Sequence, residues 1–191
     1  MALPHIQNST AGRNKYEPIN PNLFEVRFTL PEPLRAEFGR DELLLTEHVL
    51  EISGLAGLNR APEVQAQKFM GTTRSYITPA LGETRYEIEV KFSLNLRNAI
   101  DNYIYKLFRA WAALGYDIHT GAKHLKVDYC ADWMAVKHGN RVGDVFHEII
   151  FKDVMINGDL DYTAAALTYE TTDPAELTVK FVSDWCSENM A

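Results

Sequence analysis

The stretch RYEIEVKFSL, residues 85–94, decides the fold of this chain. Apolar and polar side chains alternate along it without a break. The apolar positions are Tyr86, Ile88, Val90, Phe92 and Leu94, and the polar positions are Arg85, Glu87, Glu89, Lys91 and Ser93. A period of two residues is typical of a β-strand that buries one face and exposes the other. We therefore predict a strand here, with its charged face toward water.

The period changes directly after this strand. From Asn95 to about Leu114, apolar residues recur every three or four positions, as on the buried side of a helix. They are Leu96, Ile100, Tyr103, Ile104, Leu107, Phe108, Trp111 and Leu114. Asn95 is a suitable N-cap and Gly115 a suitable residue just past the C-terminus, so we predict one helix between them.

Most of the remaining chain has the pattern of strands. Apolar alternation or apolar runs predict strands in 22–30, 49–53, 125–138, 144–156, 163–170 and 177–185, and a hairpin of polar strands in 63–79. Residues 31–47 fit no single pattern, and their three leucines could form a short strand or anchor a loop. Eight or nine strands around one helix predict a mainly β fold, an antiparallel β-sandwich or barrel with one flanking α-helix.

The chain divides into an arm and one domain. Residues 1–21 contain three prolines and no apolar periodicity, so we predict a flexible N-terminal arm. Residues 22–187 are predicted to form a single domain, because no linker or repeat interrupts them. The segment 31–47 is predicted to be an added surface feature.

Composition excludes several classes of protein. With 191 residues and a net charge of −7, the chain is long enough for a real core and too acidic for a surface that binds phosphates tightly. Two cysteines, Cys130 and Cys186, are too few for a secreted disulfide framework. The absence of a signal sequence, and of any apolar run near the about 20 residues that span a bilayer, predicts a protein made in a cytoplasm without a membrane partner.

The motifs of common enzymes are absent from the sequence. It contains no P-loop, no Gly-x-Gly-x-x-Gly and no Gly-x-Ser-x-Gly, so we expect no enzymatic activity and no cofactor. Two alternatives stay open: a metal site built from His138, His147 and Asp144, and a nucleophilic Cys130. In the simpler interpretation, the first set marks a hairpin end and Cys130 packs in the core. A small β-barrel enzyme or metal- or ligand-binding protein is therefore the less favoured function.

Polar side chains alternate with apolar ones along several strands between residues 63 and 93. In a monomer they would form the wet face of an antiparallel sheet. They could instead line a water-filled channel, because strands that pair with identical neighbours around a closed ring leave no exposed edge.

The order of these segments resembles the tail tube proteins of contractile-tailed bacteriophages. The opening residues 20–26, NPNLFEV, are similar to the start of that family's first strand. A glycine-rich loop, a polar hairpin with Phe69-Met70-Gly71, the strand 85–94 and a helix ending in Phe108-x-x-Trp111 follow in the same order. The segment 147–153, HEIIFKD, and a last strand ending in Asp184-Trp185 complete the resemblance, which spans about residues 20–187.

The resemblance implies a structural subunit of the virion, assembled in the host cytoplasm. Six copies would form a ring around a lumen, and rings would stack through the N-terminal arm and long loops. The implied partners are other copies of the chain, the sheath protein, the baseplate, the tail terminator, the tape-measure protein and the viral DNA that passes during ejection. A type VI secretion tube, a pyocin tube or a tube initiator at the baseplate is the alternative within the same design.

The acidic composition agrees with such a role, because a neutral or acidic bore lets DNA slide whereas a lysine-rich bore would retain it. We expect the lumen-facing residues on the polar sides of the hairpin and of the strand 85–94. They are Gln65, Gln67, Glu87, Glu89 and Lys91.

Overall fold

The computed structural model describes residues 21–39, 42–55, 64–69, 72–77, 85–95, 101–116, 120–162 and 174–190. The predicted arm and the predicted strand 163–170 lie almost wholly outside these ranges. The strands are β1 (Phe24–Phe28), β2 (Val49–Ser53), β3 (Val64–Phe69), β4 (Thr72–Ile77), β5 (Tyr86–Ser93), β6 (Ala131–Gly139), β7 (Val145–Ile156), β8 (Asp161–Tyr162), β9 (Glu176–Ser183) and β10 (Trp185–Met190). The helices are α1 (Glu32–Phe38), α2 (Glu42–Glu47), α3 (Tyr103–Gly115) and α4 (Lys126–Tyr129).

Eight of these strands form one antiparallel sheet. Its order is β1-β6-β7-β9-β5-β2, with β10 beside β7 and β8 beside β9. Among the described residues, strands β3 and β4 pair only with each other and form a two-stranded ribbon. The predicted antiparallel pattern and the hairpin across residues 139–143 are confirmed.

Strand β7 bends at Asp153 and takes part in both layers of the sandwich. Asp153 has a positive φ of 53°, and the buried side chains shift there from Ile149 and Phe151 to Val154. The register with β6 is the same on both sides of Asp153, from Trp133–Lys152 to Ala131–Val154, so the strand turns here without an inserted residue. The first part of β7 pairs with β6 and β10, and its last two residues pair with β9. The result is the predicted β-sandwich.

Aromatic rings fill the space between the two layers. The ring centroid of Phe28 on β1 lies 5.8 Å from that of Phe92 on β5 and 5.7 Å from that of Phe181 on β9. Helix α3 closes the core from one side, with Phe108 4.7 Å from Phe92 and Trp111 5.7 Å from Phe181. The alternation of the strand 85–94 is confirmed, because Ile88, Val90 and Phe92 are buried.

Helix α3 begins later than the sequence predicts. The side chain of Asn102, and not that of Asn95, accepts the capping hydrogen bond, from the backbone N–H of Tyr105. Asn95 instead uses its amide nitrogen in a 3.0 Å hydrogen bond with His48 Nδ1. Both asparagines are residue types that favour the N-cap position, so the local sequence does not distinguish them.

Two predictions for the loops are wrong. Residues 31–47 contain two short helices, and their Leu34, Phe38 and Leu45 belong to the buried core, so this segment is more than an added surface feature. Pro33 lies in the first turn of α1, where a missing N–H costs no hydrogen bond. Residues 126–129, predicted as part of a long strand, form the single turn of α4.

The predicted last strand, 177–185, is two strands. Ser183 is buried, and its hydroxyl donates to the Lys152 carbonyl at 2.5 Å while accepting from the Trp185 N–H at 3.3 Å. The chain therefore leaves β9 at this point and continues beside β7 as β10, which ends at Met190. None of the helices in the described ranges combines the length and the apolar character needed to cross a bilayer.

Candidate assembly surfaces

The outward side of the layer formed by β2, β5, β8 and β9 carries most of the predicted site. Glu87 and Glu89 alternate with the buried residues of β5, and both are exposed. Lys91 follows on the same side of the strand and is half-buried. The structure therefore brings these three predicted residues together on one face, which points away from the core.

The strand register adds residues that the sequence did not identify. Glu51 stands opposite Lys91, and Lys180 stands opposite Glu89. The resulting surface, called the acidic face below, comprises five carboxylates and two lysines: Glu51, Glu87, Glu89, Asp161, Glu176, Lys91 and Lys180. Arg85, just before β5, lies 3.6 Å from Glu87. The excess of carboxylates gives this face a negative potential that disfavours a polyanion.

Lys91 does not offset this charge as a free cation. Its ammonium lies 3.0 Å from a carboxylate oxygen of Glu176 on β9. The hydrogen bond to Glu176, followed by the negative charge of the same residue, raises the pKa of Lys91. The lysine is therefore held by its own sheet, and Glu87 and Glu89 are the exposed carboxylates of β5.

The two glutamines of the predicted site belong to a different pair of strands. Gln65 and Gln67 belong to β3, whose only strand partner in the described ranges is β4. The structure thus leaves them on the ribbon and does not join them to the acidic face. Ala66, Lys68 and Ser75 of this ribbon are exposed. A two-stranded ribbon is rarely stable alone in water, so we expect it to find burial on a neighbouring molecule.

Several strand edges have no partner within the described residues. In the ranges given above, strands β1, β2 and β10 each have a partner on one side only. An open edge presents a row of unpaired N–H and C=O groups, and such rows join other chains readily. Together with the ribbon, these edges are the features by which one copy could pair with another.

Cys130 lacks the properties of a catalytic nucleophile. Burial raises the pKa of its thiol to about 11, and the carboxylates of Asp153 and Asp184 add to this shift against the opposing charge of Lys126. The reactive form of a cysteine is the thiolate, which is scarce at neutral pH when the pKa is so high. The alternative of a reactive Cys130 is therefore not supported.

The structure brings together two of the three residues considered for a metal site. The Nδ1 atoms of His138 and His147 lie 3.3 Å apart across the β6–β7 hairpin. Asp144 instead accepts a 3.3 Å hydrogen bond from the Asn140 side chain. Within the described ranges, no three His, Cys, Asp or Glu side chains converge as a metal site would require.

The histidine pair makes stability depend on pH. Burial, and then the neighbouring His147, lowers the pKa of His138 below its ordinary value of 6.5. The unfolded chain therefore binds this proton more readily than the folded chain, and stability decreases as the pH falls from about 6.5 toward the lowered pKa. The groups around the pair are Phe24 on β1, Phe146 on β7 and Met190 on β10, none of which carries a charge.

We expect the urea midpoint to decrease between pH 7.5 and pH 5 for the unmodified chain. His138→Phe should reduce this decrease, because it removes the titrating group and keeps an aromatic ring beside Phe146. His124→Phe, at an exposed position, is the matched control. An equal decrease in all three proteins would show that other groups cause the acid sensitivity.

Comparison with known proteins finds structures with a similar fold and low sequence identity. No protein-family model matches the sequence, and no curated protein does. Among solved structures, the anti-feeding prophage cap, a tube-terminating cap, matches with a TM-score of 0.57 and 11% identity, covering 92% of this chain and 93% of that one. A second match is a chain of the sheath–tube complex of an extracellular contractile injection system, PVC, in its extended state. It has a TM-score of 0.57 and 10% identity, and the match covers 99% of this chain and 100% of that one.

A third match has the same character. The sheath/tube terminator of the PVC system matches with a TM-score of 0.55 and 10% identity, covering 92% of this chain and 99% of that one. The agreement extends over nearly the whole of each chain. These matches confirm the prediction that the chain has the fold of contractile tail tube proteins.

Proposed function

We propose that this chain is a tube-forming structural subunit of a contractile injection apparatus. The observation that carries the proposal is its likeness, over 99% of its length, to a chain of a sheath–tube complex. The edges of β1, β2 and β10, which have no partner in the described part of the chain, and the β3–β4 ribbon support it, because they suit a chain that completes its sheets with copies of itself. The role is structural and not enzymatic.

The apparatus proposed here is the tail of a contractile-tailed bacteriophage. The sequence resemblance over about residues 20–187 supports this choice. The chain would then be part of the virion, with the sheath protein, the baseplate, the tail terminator and the tape-measure protein as partners. Six copies would form each ring, and rings would stack through residues 1–21 and the long loops.

In this arrangement the acidic face lines the bore. Glu87, Glu89 and Lys91 would lie on the inner wall, and the ribbon would bring Gln65 and Gln67 to the same lumen from each copy. An acidic wall repels phosphates, so viral DNA would pass during ejection without being retained.

A second position in the same apparatus has a specific observation in its favour. Two of the structural matches are a tube-terminating cap and a sheath/tube terminator. A cap closes a tube and does not lengthen it, whereas a tube subunit must bind copies at both ends of its ring. The two roles therefore predict different particles for the purified chain.

Negative-stain microscopy of the concentrated protein tests both roles. Long hollow rods are expected for a tube subunit, because each ring offers a surface to the next one. Single rings that never lengthen would favour the cap. Solitary particles at high concentration would refute the proposal of a tube-forming subunit altogether.

Reversing charge on the acidic face should make rods retain DNA. In rods assembled with a short DNA duplex, the double variant Glu87→Lys/Glu89→Lys is expected to protect more DNA from nuclease than the unmodified chain, since lysines attract phosphates. Glu25→Lys/Glu148→Lys, on the other outward side of the sandwich, is the matched control with the same net charge. Equal protection by the two variants would count against a bore lined by the acidic face.

A further inference from the structure

The second layer of the sandwich consists of β1, β6, the first part of β7, and β10. A row of three side chains crosses its outward side. Trp133 on β6 and Trp185 on β10 both stand opposite Lys152 on β7. The Lys152 ammonium lies 4.7 Å from the centre of the Trp185 ring, within the range of a cation–π contact. Trp133 is 37% exposed and Trp185 is 47% exposed. These three residues are called the tryptophan–lysine row below.

The charges beside this row are already matched, with one exception. Lys137 lies 3.0 Å from Glu148, and Arg27 lies 2.9 Å from Glu25. Lys152 has no carboxylate within ion-pair distance in the described part of the chain. Its ammonium is therefore available to pair with a carboxylate of a partner protein.

The row borders a shallow groove. Ala135 and Ile150 form an apolar floor, and Ala135 is only 3% exposed. The groove has a volume of about 490 Å³, and Lys137, Glu148 and Lys152 are among its polar lining residues. Exposed tryptophans around an apolar floor are typical of the centre of a protein interface.

The position of the row indicates which way it faces in a tube. The inner side of its layer packs on the layer of the acidic face, through the contacts of Phe28 with Phe92 and Phe181. The tryptophan–lysine row and the acidic face therefore point in opposite directions from one core. If the acidic face lines the bore, the row points away from the axis. Ring neighbours would meet at strand edges and stacked rings at loops, which leaves the row for a protein that encloses the tube.

We propose that the tryptophan–lysine row is the docking surface for an acidic, apolar segment of the surrounding sheath protein. This inference rests on the proposed function. A carboxylate of the segment would pair with Lys152, and apolar side chains would cover the floor between the two indole rings. Burial of tryptophan supplies much of the affinity in such interfaces, and the matched charge guides the approach.

The direction of the row is tested by labelling single cysteines in assembled rods. Asn189→Cys, on the same side of β10 as Trp185, is expected to react with maleimide on a gold particle wider than the bore. Glu89→Cys should react with that reagent before assembly but not afterwards. The unmodified chain is the blank, because burial raises the pKa of the Cys130 and Cys186 thiols to about 11 and slows their reaction.

The outcomes separate this inference from the proposed function. Rods that take up gold at Glu89→Cys, or that exclude it at Asn189→Cys, would overturn the inference and leave the tube intact. Failure to form any rods would instead refute the proposed function.

The chemistry of the partner is tested on the unassembled chain with one defined probe, a synthetic peptide of alternating glutamate and leucine. Binding should be detected through the fluorescence of the two exposed tryptophans. Lys152→Glu is expected to weaken it at least tenfold, through repulsion of the peptide carboxylates. Lys123→Glu, at an exposed position outside the row, is the charge-matched control. Equal affinity of both variants, or no binding to the unmodified chain, would overturn the assignment.

Discussion

Replacing Trp111 with alanine is expected to lower the free energy of unfolding by about 3–5 kcal/mol. The indole is only 2% exposed, and its ring centre lies 6.2 Å from that of Phe108 and 5.7 Å from that of Phe181. Its Nε1–H donates a 2.8 Å hydrogen bond to the carbonyl of Tyr129, the last residue of α4. The substitution would leave a cavity between α3 and β9 and an unpaired carbonyl.

Urea or guanidinium denaturation measures this loss, with a constant slope as evidence that only stability has changed. Trp133→Ala is the matched control, because Trp133 is 37% exposed on the outer side of β6. Both substitutions remove an indole. Trp133→Ala should lower the free energy of unfolding by less than half as much as Trp111→Ala, since far less apolar area is buried at Trp133. Equal losses would mean that Trp111 is not part of the core.

Deleting residues 1–19 is expected to abolish rod growth and to leave the domain folded. The first backbone contact to the sheet in the described residues is made by the Leu23 carbonyl, which accepts from the Gly139 N–H at 3.0 Å. The deletion ends before this contact and before β1, so it should not disturb the core. Rod length by negative-stain microscopy measures growth, and the denaturation midpoint measures the fold.

Asn8→Ala/Asn14→Ala is a suitable control, because it keeps the length of the arm. Rods from that variant show that the loss depends on the missing segment and not on a small change in its composition. Unaltered polymerisation of the shortened chain would refute the stacking role of the arm. A lowered midpoint would show that the arm contributes to the fold.

Local side-chain patterns were sufficient to predict a mainly β fold, a sandwich or barrel, with a flanking helix. The alternation of residues 85–94 and the apolar stripe from Tyr103 to Trp111 each depend on neighbours within a few residues, and the structure confirms both. The acidic side of β5 was visible for the same reason, because the period of a strand determines which residues share a face. Resemblance over most of the chain led to the tube fold that the structural comparisons confirm.

Other features depended on contacts between residues far apart in sequence. The local sequence allows either Asn95 or Asn102 to cap the helix. In the folded chain Asn102 is the cap, and Asn95 forms a hydrogen bond with His48. The leucine-rich part of 31–47 is helical and reaches the core through Leu45, a burial that its own sequence does not reveal.

The order of residues along the chain is enough to predict an antiparallel β-sandwich or barrel with one amphipathic helix and a charged strand face, because strand and helix periods are local properties. Which strands become neighbours is a property of the folded chain. Strand pairing brings Lys91 within 3.0 Å of Glu176, places Lys152 between two tryptophans and joins the strand of Gln65 and Gln67 to β4. Lys91 and Glu176 are far apart in sequence, and the packing of the folded sheet brings them together, which no pattern within either segment reveals.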